Sequence, residues 1–530
     1  MERKGLICIP VKVLIKKNAY YDSVTLMSVS KEVTGMDGVE EAVVAMATGL
    51  NKELLANVGM VTAEVQGATP NDLVIAVKAK DDQVAAAAVE TAEQILVRRV
   101  TDDQGEQQRT RSLGSAFKSN PNLNLVLISV PGAYAAREAR RALEGGRHVM
   151  LFSDNVTIED EIALKKLARQ KGLLMMGPDC GTAVINGVAL AFANVVKRGG
   201  IGVVGASGTG TQEVISIIDK IGEGVSQVIG TGGRDLTAAV GGMMTMDAIR
   251  ALQEDEHTRV LVVISKPPAP AVAQEVLRLL SSGKKPAVVH FIGTGPEGVE
   301  AAGLIPGLTL EDTAAKAVAL AMGEQVTGEE VFPGEDLHPV ARQEAAKLAP
   351  GQRYVRGLYT GGTLCDEAMF ILAPVLGGVY SNVAPDPGWR LVDPRSSREH
   401  TMLDLGDDYF TVGRPHPMIE PSLRLPRFWA EANDPEVAVI LLDVVLGHGV
   451  HPDPAGILAP VIAEAKEKCR QEGRYLSVVT SVCGTSGDPQ GLHEQERKLR
   501  EAGALVMASN ARAARLVRMM FQLRAQEVMS

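Results

Sequence analysis

Ile201-Gly-Val-Val-Gly-Ala-Ser207-Gly208-Thr209-Gly-Thr-Gln-Glu213 and Arg356-Gly-Leu-Tyr-Thr-Gly361-Gly362-Thr363-Leu-Cys-Asp-Glu367 read alike. Each is an apolar strand, a glycine turn carrying Gly-Thr, and a helix start with a glutamate four residues on. Such a turn aims bare backbone N–H groups and the positive end of a helix dipole beyond the strand, which suits a phosphate or a carboxylate. The likeness continues downstream: Ile229–Asp235 matches Leu405–Asp408, Val260–Ile264 matches Val437–Leu442, and Gly283–Thr294 matches Gly473–Thr485. The offset grows along the chain, as insertions into surface loops produce. Two homologous α/β domains follow, at 198–325 and 352–530.

Upstream, residues 1–110 alternate strand patterns (Val11–Ile15, Glu41–Ala45, Asp72–Val77) with helical ones (Asp22–Glu32, Gln83–Leu96), the order of a small α/β domain. Over 111–197 the strands Leu125–Val130, His148–Phe152 and Leu173–Met176 alternate with helices Ala135–Glu144 and Ile158–Gln170, which predicts a parallel, Rossmann-like half-sheet. Residues 326–351, rich in Glu, Pro and Gly, read as a linker. The whole is a multidomain α/β chain. At 530 residues, 45% apolar and 22% charged, it has the make-up of a large globular enzyme. A net charge of −10 disfavours nucleic acid as a partner. Cys8, Cys180, Cys365, Cys469 and Cys483 include no C-x-x-C pair, so neither a disulfide frame nor a zinc site is implied. No apolar run reaches membrane length, and a cytoplasmic protein is expected.

Residues 124–323 resemble the α subunit of succinyl-CoA synthetase and the wider NDP-forming acyl-CoA ligases. The resemblance is carried by Val130-Pro131, Phe152-Ser153-Asp154, Gly177-Pro178-Asp179-Cys180, Gly205-Ala-Ser207-Gly208-Thr209 and Gly230-Thr-Gly232-Gly233. Over nearly its full length the chain resembles the FdrA family, through Phe152-Ser-Asp-Asn155, Gly177–Thr182, Gly230–Asp235 and Gly413-Arg414-Pro-His416-Pro-Met418. The resemblance implies a Rossmann-like CoA-binding-type domain and two flavodoxin-like ligase domains. Members of that family are labelled acyl-CoA synthetases, and they include a subunit of oxamate carbamoyltransferase, which works with other subunits beside a carbamate kinase.

Two departures from the ligase pattern matter. The ligases relay phosphate through a histidine in a Gly-His-Ala-Gly loop, whereas the matching stretch here, Gly293–Ala302, has no histidine. The glutamate that would orient it is replaced by the Ser265-Lys266-Pro267-Pro268 segment. An imidazole nucleophile needs an orienting partner, so losing both argues against a phosphohistidine relay. His290 lies within the apolar strand Ala287–Ile292 and reads as a core residue. No glycine-rich CoA turn precedes residue 124, so Phe152, Ser153, Asp154, Gly177 and Pro178 form a cofactor site only if CoA binds.

Lys266 beside Gly208-Thr209 points instead to a small dianion. Carbamoyl phosphate fits: carbamoyl transfer needs donors on the leaving phosphate and on the developing oxyanion, and no covalent nucleophile. The expected catalytic set is Lys266, Arg234, Asp235, Asp408 and His416. Arg234 and Arg414 would clamp a phosphate or an acceptor carboxylate, Asp235, Asp407 and Asp408 would orient or deprotonate an amide, and His416, between prolines, would act as donor or acid. Ser207, Gly208, Thr209, Gly232, Gly233, Gly361, Gly362, Thr363 and Arg414 form the expected phosphate-binding and substrate-binding set. Each has a structural alternative, since polar residues cap turns, glycine turns reverse chains, and Glu213 and Glu367 stabilise helix dipoles. Cys180 and Cys365 read as structural. His448 and His451 read as surface polar residues, and no metal is expected. The expected function is one subunit of a carbamoyltransferase complex acting on carbamoyl phosphate or phosphate and a small amide or ureido acid, with partner subunits and a carbamate kinase alongside. The alternatives are an acyl-CoA synthetase using CoA and ATP or ADP, and a non-catalytic scaffold. A single-site mechanism requires Gly208-Thr209 and Gly362-Thr363 to approach each other across an interdomain cleft.

Overall fold

The computed structural model describes residues 10–529 apart from 18, 20, 22, 49–50, 53–54, 57, 103–109, 111, 332–335 and 412–413. The chain divides into two compact units, one of residues 1–110 with 412–415 and one of 111–411 with 416–530. In the first, strands Val11–Lys16 and Val39–Met46 flank Leu73–Ala79 in an antiparallel sheet. Side chains alternate across a strand. Leu73, Ile75 and Val77 therefore meet helices Ser23–Thr34 and Asp82–Asp102 on one face, while Val74 and Ala76 meet Leu55, Met60 and Val65 on the other. Burial on both faces explains why this strand reads as an unbroken apolar run.

In the second unit, the half-sheet orders Leu125–Ile128, His148–Leu151 and Met175–Met176 side by side, all parallel. The first repeat places Arg198–Ala206, Val225–Gly230, Val260–Ser265, Ala287–Phe291 and Ile305–Pro306 in the spatial order second, first, third, fourth, fifth, all parallel. The second repeat places Tyr354–Tyr359, Thr401–Asp404, Val437–Val445, Ser477–Cys483 and Leu505–Met507 in the same order, with Tyr380–Ser381 added at the edge. In such a sheet the winding reverses between the first and third strands, and ligands bind beyond their carboxyl ends at that point. Ser207-Gly208 and Lys266 occupy it in the first repeat, Gly361-Gly362 and Leu446–Gly449 in the second.

Two sequence boundaries need correction. The hairpin Thr182–Ile185 and Val188–Ala191 adds antiparallel to Val225–Gly230, so the first repeat's sheet extends upstream of residue 198. Within the expected linker, residues 332–335 lie outside the described set, but His338–Ala345 is a helix with Ala341 and Ala345 buried. Its Glu344 accepts hydrogen bonds from the Tyr475 hydroxyl (2.9 Å) and the Ser477 hydroxyl (2.8 Å), which fastens it to the second repeat.

The two repeats share one core, in which Val214 and Ile218 of helix Gly208–Ile221 join Leu364 and Ala368 of helix Gly362–Leu376. Their glutamates make a reciprocal arrangement. The Asn510 N–H, opening the last helix of the second repeat, donates to Glu213 (2.9 Å). The Leu310 N–H, opening the last helix of the first repeat, donates to Glu367 (2.8 Å), as does the Asn510 amide (2.8 Å). Each repeat thus satisfies a helix start of the other, a position with no intrahelical partner. Burial raises the Glu367 carboxyl from 4.5 to about 7, against the hydrogen bonds from Leu310 and Asn510. A carboxyl raised in the folded state contributes stability that is full below pH 4.5 and is lost as pH climbs through about 7. Glu367→Gln is therefore expected to flatten part of the fall in urea midpoint over that window. Glu367→Ala, which strands two buried donors, should cost about 2–4 kcal/mol.

Candidate active site

The two glycine turns meet. The Ser207 and Thr363 hydroxyls are 2.7 Å apart and buried, and Ser207 Oγ also accepts from the Gly210 N–H (3.2 Å). A Cβ on Gly361 would stand 2.8 Å from Thr209 Oγ1, and one on Gly210 2.7 Å from Thr363 Cγ2, so this approach demands glycine at both places. Gly208 is exposed and Thr209 and Gly362 are half-buried, so the first helix start is open to solvent where the two repeats meet. The approach required for a single site is present.

Lys266, just beyond strand Val260–Ser265 of the first repeat, reaches across to the second, its Nζ 3.1 Å from Asp366 Oδ2. Burial alone would lower its ammonium, but Asp366 and Asp404 overcome this and hold it raised, so it remains a cation. Asp404 ends strand Thr401–Asp404. Burial lifts it to about 7, opposed by Lys266 and reinforced by Asp366. Asp366 is also raised by burial, with Lys266 opposing. Nearby, Asp179 follows the cis Gly177-Pro178 bond and is exposed. Desolvation by the surrounding protein and the Asp154 charge raise it to about 6, with Asp408 adding and Lys266 and Arg234 opposing. Burial, Asp154 and Asp407 raise Asp408.

His416 lies 5.8 Å from the Phe192 ring, which stands 5.2 Å from Phe152. The Met418 N–H donates to His416 Nδ1 (3.2 Å), which leaves Nε2 to carry the proton. Burial lowers His416 to about 4 despite Asp443 and Asp154, so it is a neutral N–H donor near neutrality and not the acid considered from the sequence. At the carboxyl end of the half-sheet, the Ser153 hydroxyl is spent on the Val130 carbonyl (2.5 Å), and Gly177 is crowded by the Leu151 carbonyl. Phe152 would suit the apolar pantetheine arm of CoA, whereas the carboxylates Asp154 and Asp179 would repel its phosphates. The residues present fit the apolar arm of CoA better than its phosphates.

Several expected residues have other work. The Thr360 and Gly361 N–H groups donate to Asp443 (2.8 and 2.7 Å), and Arg424 Nη1 clamps that carboxylate (2.8 Å). The second cradle is thus filled from within, and Gly361 is removed from the anion-binding set. Asp235 is wholly buried and accepts from the Lys165 ammonium (2.7 Å), the Thr245 N–H (2.8 Å) and the Thr245 hydroxyl (2.7 Å), so it is structural and not catalytic. Arg234 donates to the Val156 carbonyl (2.8 Å) and pairs with Glu161 (2.9 Å), which ties it to the rim. Gly232, at φ +88°, lies against the Pro178 carbonyl and serves close backbone packing, while the exposed Gly233 borders the Asp179 carboxylate. Arg414 is exposed and groups with the other compact unit. His290 is buried with Nδ1 2.8 Å from the Gly307 carbonyl, and burial lowers it to about 4. Burial raises the Cys180 and Cys365 thiols, which makes them inert. His448 is exposed, whereas His451 is buried and its Nδ1 accepts from the Asp453 N–H (3.0 Å). No cluster of three or more His, Cys, Asp or Glu side chains placed to hold a metal ion occurs among the described residues, and none of their helices is long and apolar enough to cross a membrane. Asp366, Asp404 and Lys165 were not singled out from the sequence. Asp366 lies inside the quoted repeat, and Asp404 at the end of a parallel strand is where a ligand-facing residue belongs.

Family models match three stretches: the AllF heavy metal-associated domain at 9–112, the CoA binding domain at 196–293 and the CoA-ligase at 358–520. The second falls on the first repeat and not on the half-sheet. The first covers no cysteine and no histidine. YahF of Escherichia coli K12 is 48% identical over 515 residues, 96% of this chain and 98% of that protein. The chain belongs to the same succinyl-CoA synthetase-like family as YahF. Two Archaeoglobus fulgidus proteins, succinate–CoA ligase [ADP-forming] subunits alpha 1 and alpha 2, are 26% and 27% identical over 182 residues, 33% of this chain and 61% of each subunit. Among solved structures, PH0766 from Pyrococcus horikoshii OT3 aligns over 79% of this chain and 87% of its own at 14% identity and a TM-score of 0.33. With the buried network around Lys165 as scaffold, Asp235→Ala should destabilise the protein by about 3–5 kcal/mol. Phosphate affinity should stay within about threefold, because sites without shared partners act almost independently. Thermal unfolding and phosphate titration of the same variant check both.

Proposed function

We propose that this chain handles an acyl phosphate, the mixed anhydride of phosphate with a carboxylic or carbamic acid, in acyl transfer of the acyl-CoA ligase type. The reading is supported above all by the meeting of the two turns at Ser207 and Thr363, with the Lys266 cation beside them. The first N–H groups of helix Gly208–Ile221 have no intrahelical partner and, with the helix dipole, form a seat for the phosphate. Lys266 offsets the charge that grows on the phosphate as it leaves, and a preorganised cation at such a point lowers the barrier directly. The His416 N–H is a candidate donor to the acyl oxygen.

The acceptor separates two versions. CoA as acceptor, with ATP or ADP as the nucleotide, is suggested by the CoA binding and CoA-ligase matches and by the succinate–CoA ligase relatives. When bound, CoA supplies a thiol that becomes a thioester. An amide nitrogen as acceptor is favoured by a specific observation: Gly293–Ala302 lacks a histidine and Lys266 stands where its orienting glutamate would be, so phosphate is handled without a phosphohistidine. The carboxylates Asp154, Asp179 and Asp408 suit a neutral amide. In that version carbamoyl phosphate is the donor, and further subunits and a carbamate kinase are the partners.

Inorganic phosphate, acetyl phosphate and carbamoyl phosphate should bind the wild-type chain in calorimetric titration. Lys266→Ala should weaken all three by about tenfold or more, the equivalent of about 1.4 kcal/mol. Thioester formation from acetyl phosphate and CoA supports the ligase version, and carbamoylation of oxamate by carbamoyl phosphate supports the second. Unchanged binding in Lys266→Ala overturns both.

A further inference from the structure

Asp404 stands at the carboxyl edge of its sheet and is 7% exposed. Its backbone is fixed on both sides: its N–H donates to Asn382 Oδ1 (3.0 Å), and its carbonyl accepts from Asn382 Nδ2 (2.9 Å). Side-chain Oδ1 accepts from the Gly406 N–H (2.9 Å). Oδ2 has no hydrogen-bond partner among the described residues. It lies against Gly362, where any Cβ would overlap it, and Lys266 Nζ borders the same point, 3.5 Å from where that Cβ would be. Gly362 is half-buried, so this carboxylate oxygen stands beside the second helix start and near the cation, at the edge of the protein interior.

We infer that Asp404 is a catalytic residue, whose carboxylate takes the proton from the acceptor's attacking atom and passes it to the departing phosphate. The inference rests on the acyl-phosphate reading. In the step, the acceptor X–H bond breaks toward Asp404 Oδ2 as the X–C bond forms. The C–O bond to phosphate breaks with its electron pair left on the phosphate oxygen, and Asp404 then gives its proton to that oxygen. Acyl phosphate and HX become acyl-X and hydrogen phosphate, where X is an amide nitrogen or a thiol sulfur. The charged and titratable groups that face Asp404 are Lys266 from the first repeat, Asp366 and Cys365 from the second cradle helix, and Asp407 from the turn that follows. Burial holds the group at about 7, so it exchanges a proton near neutrality, as a general base requires. Asp366 is the positioning residue, fixing Lys266 Nζ at 3.1 Å.

The test is proton uptake on binding inorganic phosphate, measured at about pH 8 by calorimetry in buffers of different ionisation enthalpy. A bound dianion disfavours ionised Asp404, so the wild type should take up protons beyond those phosphate itself carries. Asp404→Asn, which keeps an acceptor for the Gly406 N–H, should lose that component while still binding phosphate. Its acyl-transfer rate should fall by about a hundredfold or more, with the near-neutral limb of the pH profile gone and Asp404→Glu restoring part of it. Equal proton uptake in wild type and Asp404→Asn overturns the assignment and leaves the phosphate site standing. No phosphate binding by the wild type overturns the reading beneath it. If Asp404→Asn does not fold, difference infrared spectra of the wild type decide: phosphate should bring up a protonated-carboxyl band, and its absence overturns the role of Asp404.

Discussion

Two buried glutamates set the relation between the halves of this protein. Glu213 holds the first N–H of the second repeat's last helix, and Glu367 holds that of the first repeat's last helix. A buried carboxylate is costly unless its lone pairs are filled, and a helix start is costly unless its N–H groups are. Each repeat therefore completes the other. Because both glutamates lie one helical turn inside the cradle helices, satisfying them brings the two helix starts together, with Ser207 against Thr363 and Lys266 within reach of Asp366.

The duplicated turns then diverged in electrostatics. The second is saturated by its own Asp443, which Arg424 neutralises, and that internal ion pair makes Thr360-Gly361 a rigid wall. The first has no such carboxylate and keeps its helix start open. The place where the repeats meet consequently combines an anion seat, the Lys266 cation and carboxylates that Arg234 offsets in part. That asymmetry suits a substrate with a charged phosphate at one end and a neutral, hydrogen-bonding acceptor at the other.

The sheets were legible because parallel strands buried on both faces read as plain apolar runs, Val260–Ile264 and Val437–Leu442 among them, and because the glycine turns repeat. The hairpin at 182–191 was not: its strands have four residues each, and no periodicity tells which sheet they join. The helix His338–Ala345 was hidden by the Pro and Gly around it. At the site, Lys266 was named from the sequence, whereas the meeting of the turns stood there only as a condition for a single site, and Asp235 was misread because its partner, Lys165, lies on a helix far away in sequence. Asp404 and Asp366 escaped notice because their meaning comes from contacts between repeats, which local pattern does not carry.

A crystal structure of the chain with phosphonoacetamide, a stable mimic of carbamoyl phosphate, would show where the phosphate seat lies. The phosphonate should lie within hydrogen-bond reach of the Gly208 and Thr209 N–H groups and of Lys266 Nζ, with the amide end toward Asp404. A phosphonate bound elsewhere, or at the second turn in place of Asp443, would contradict it.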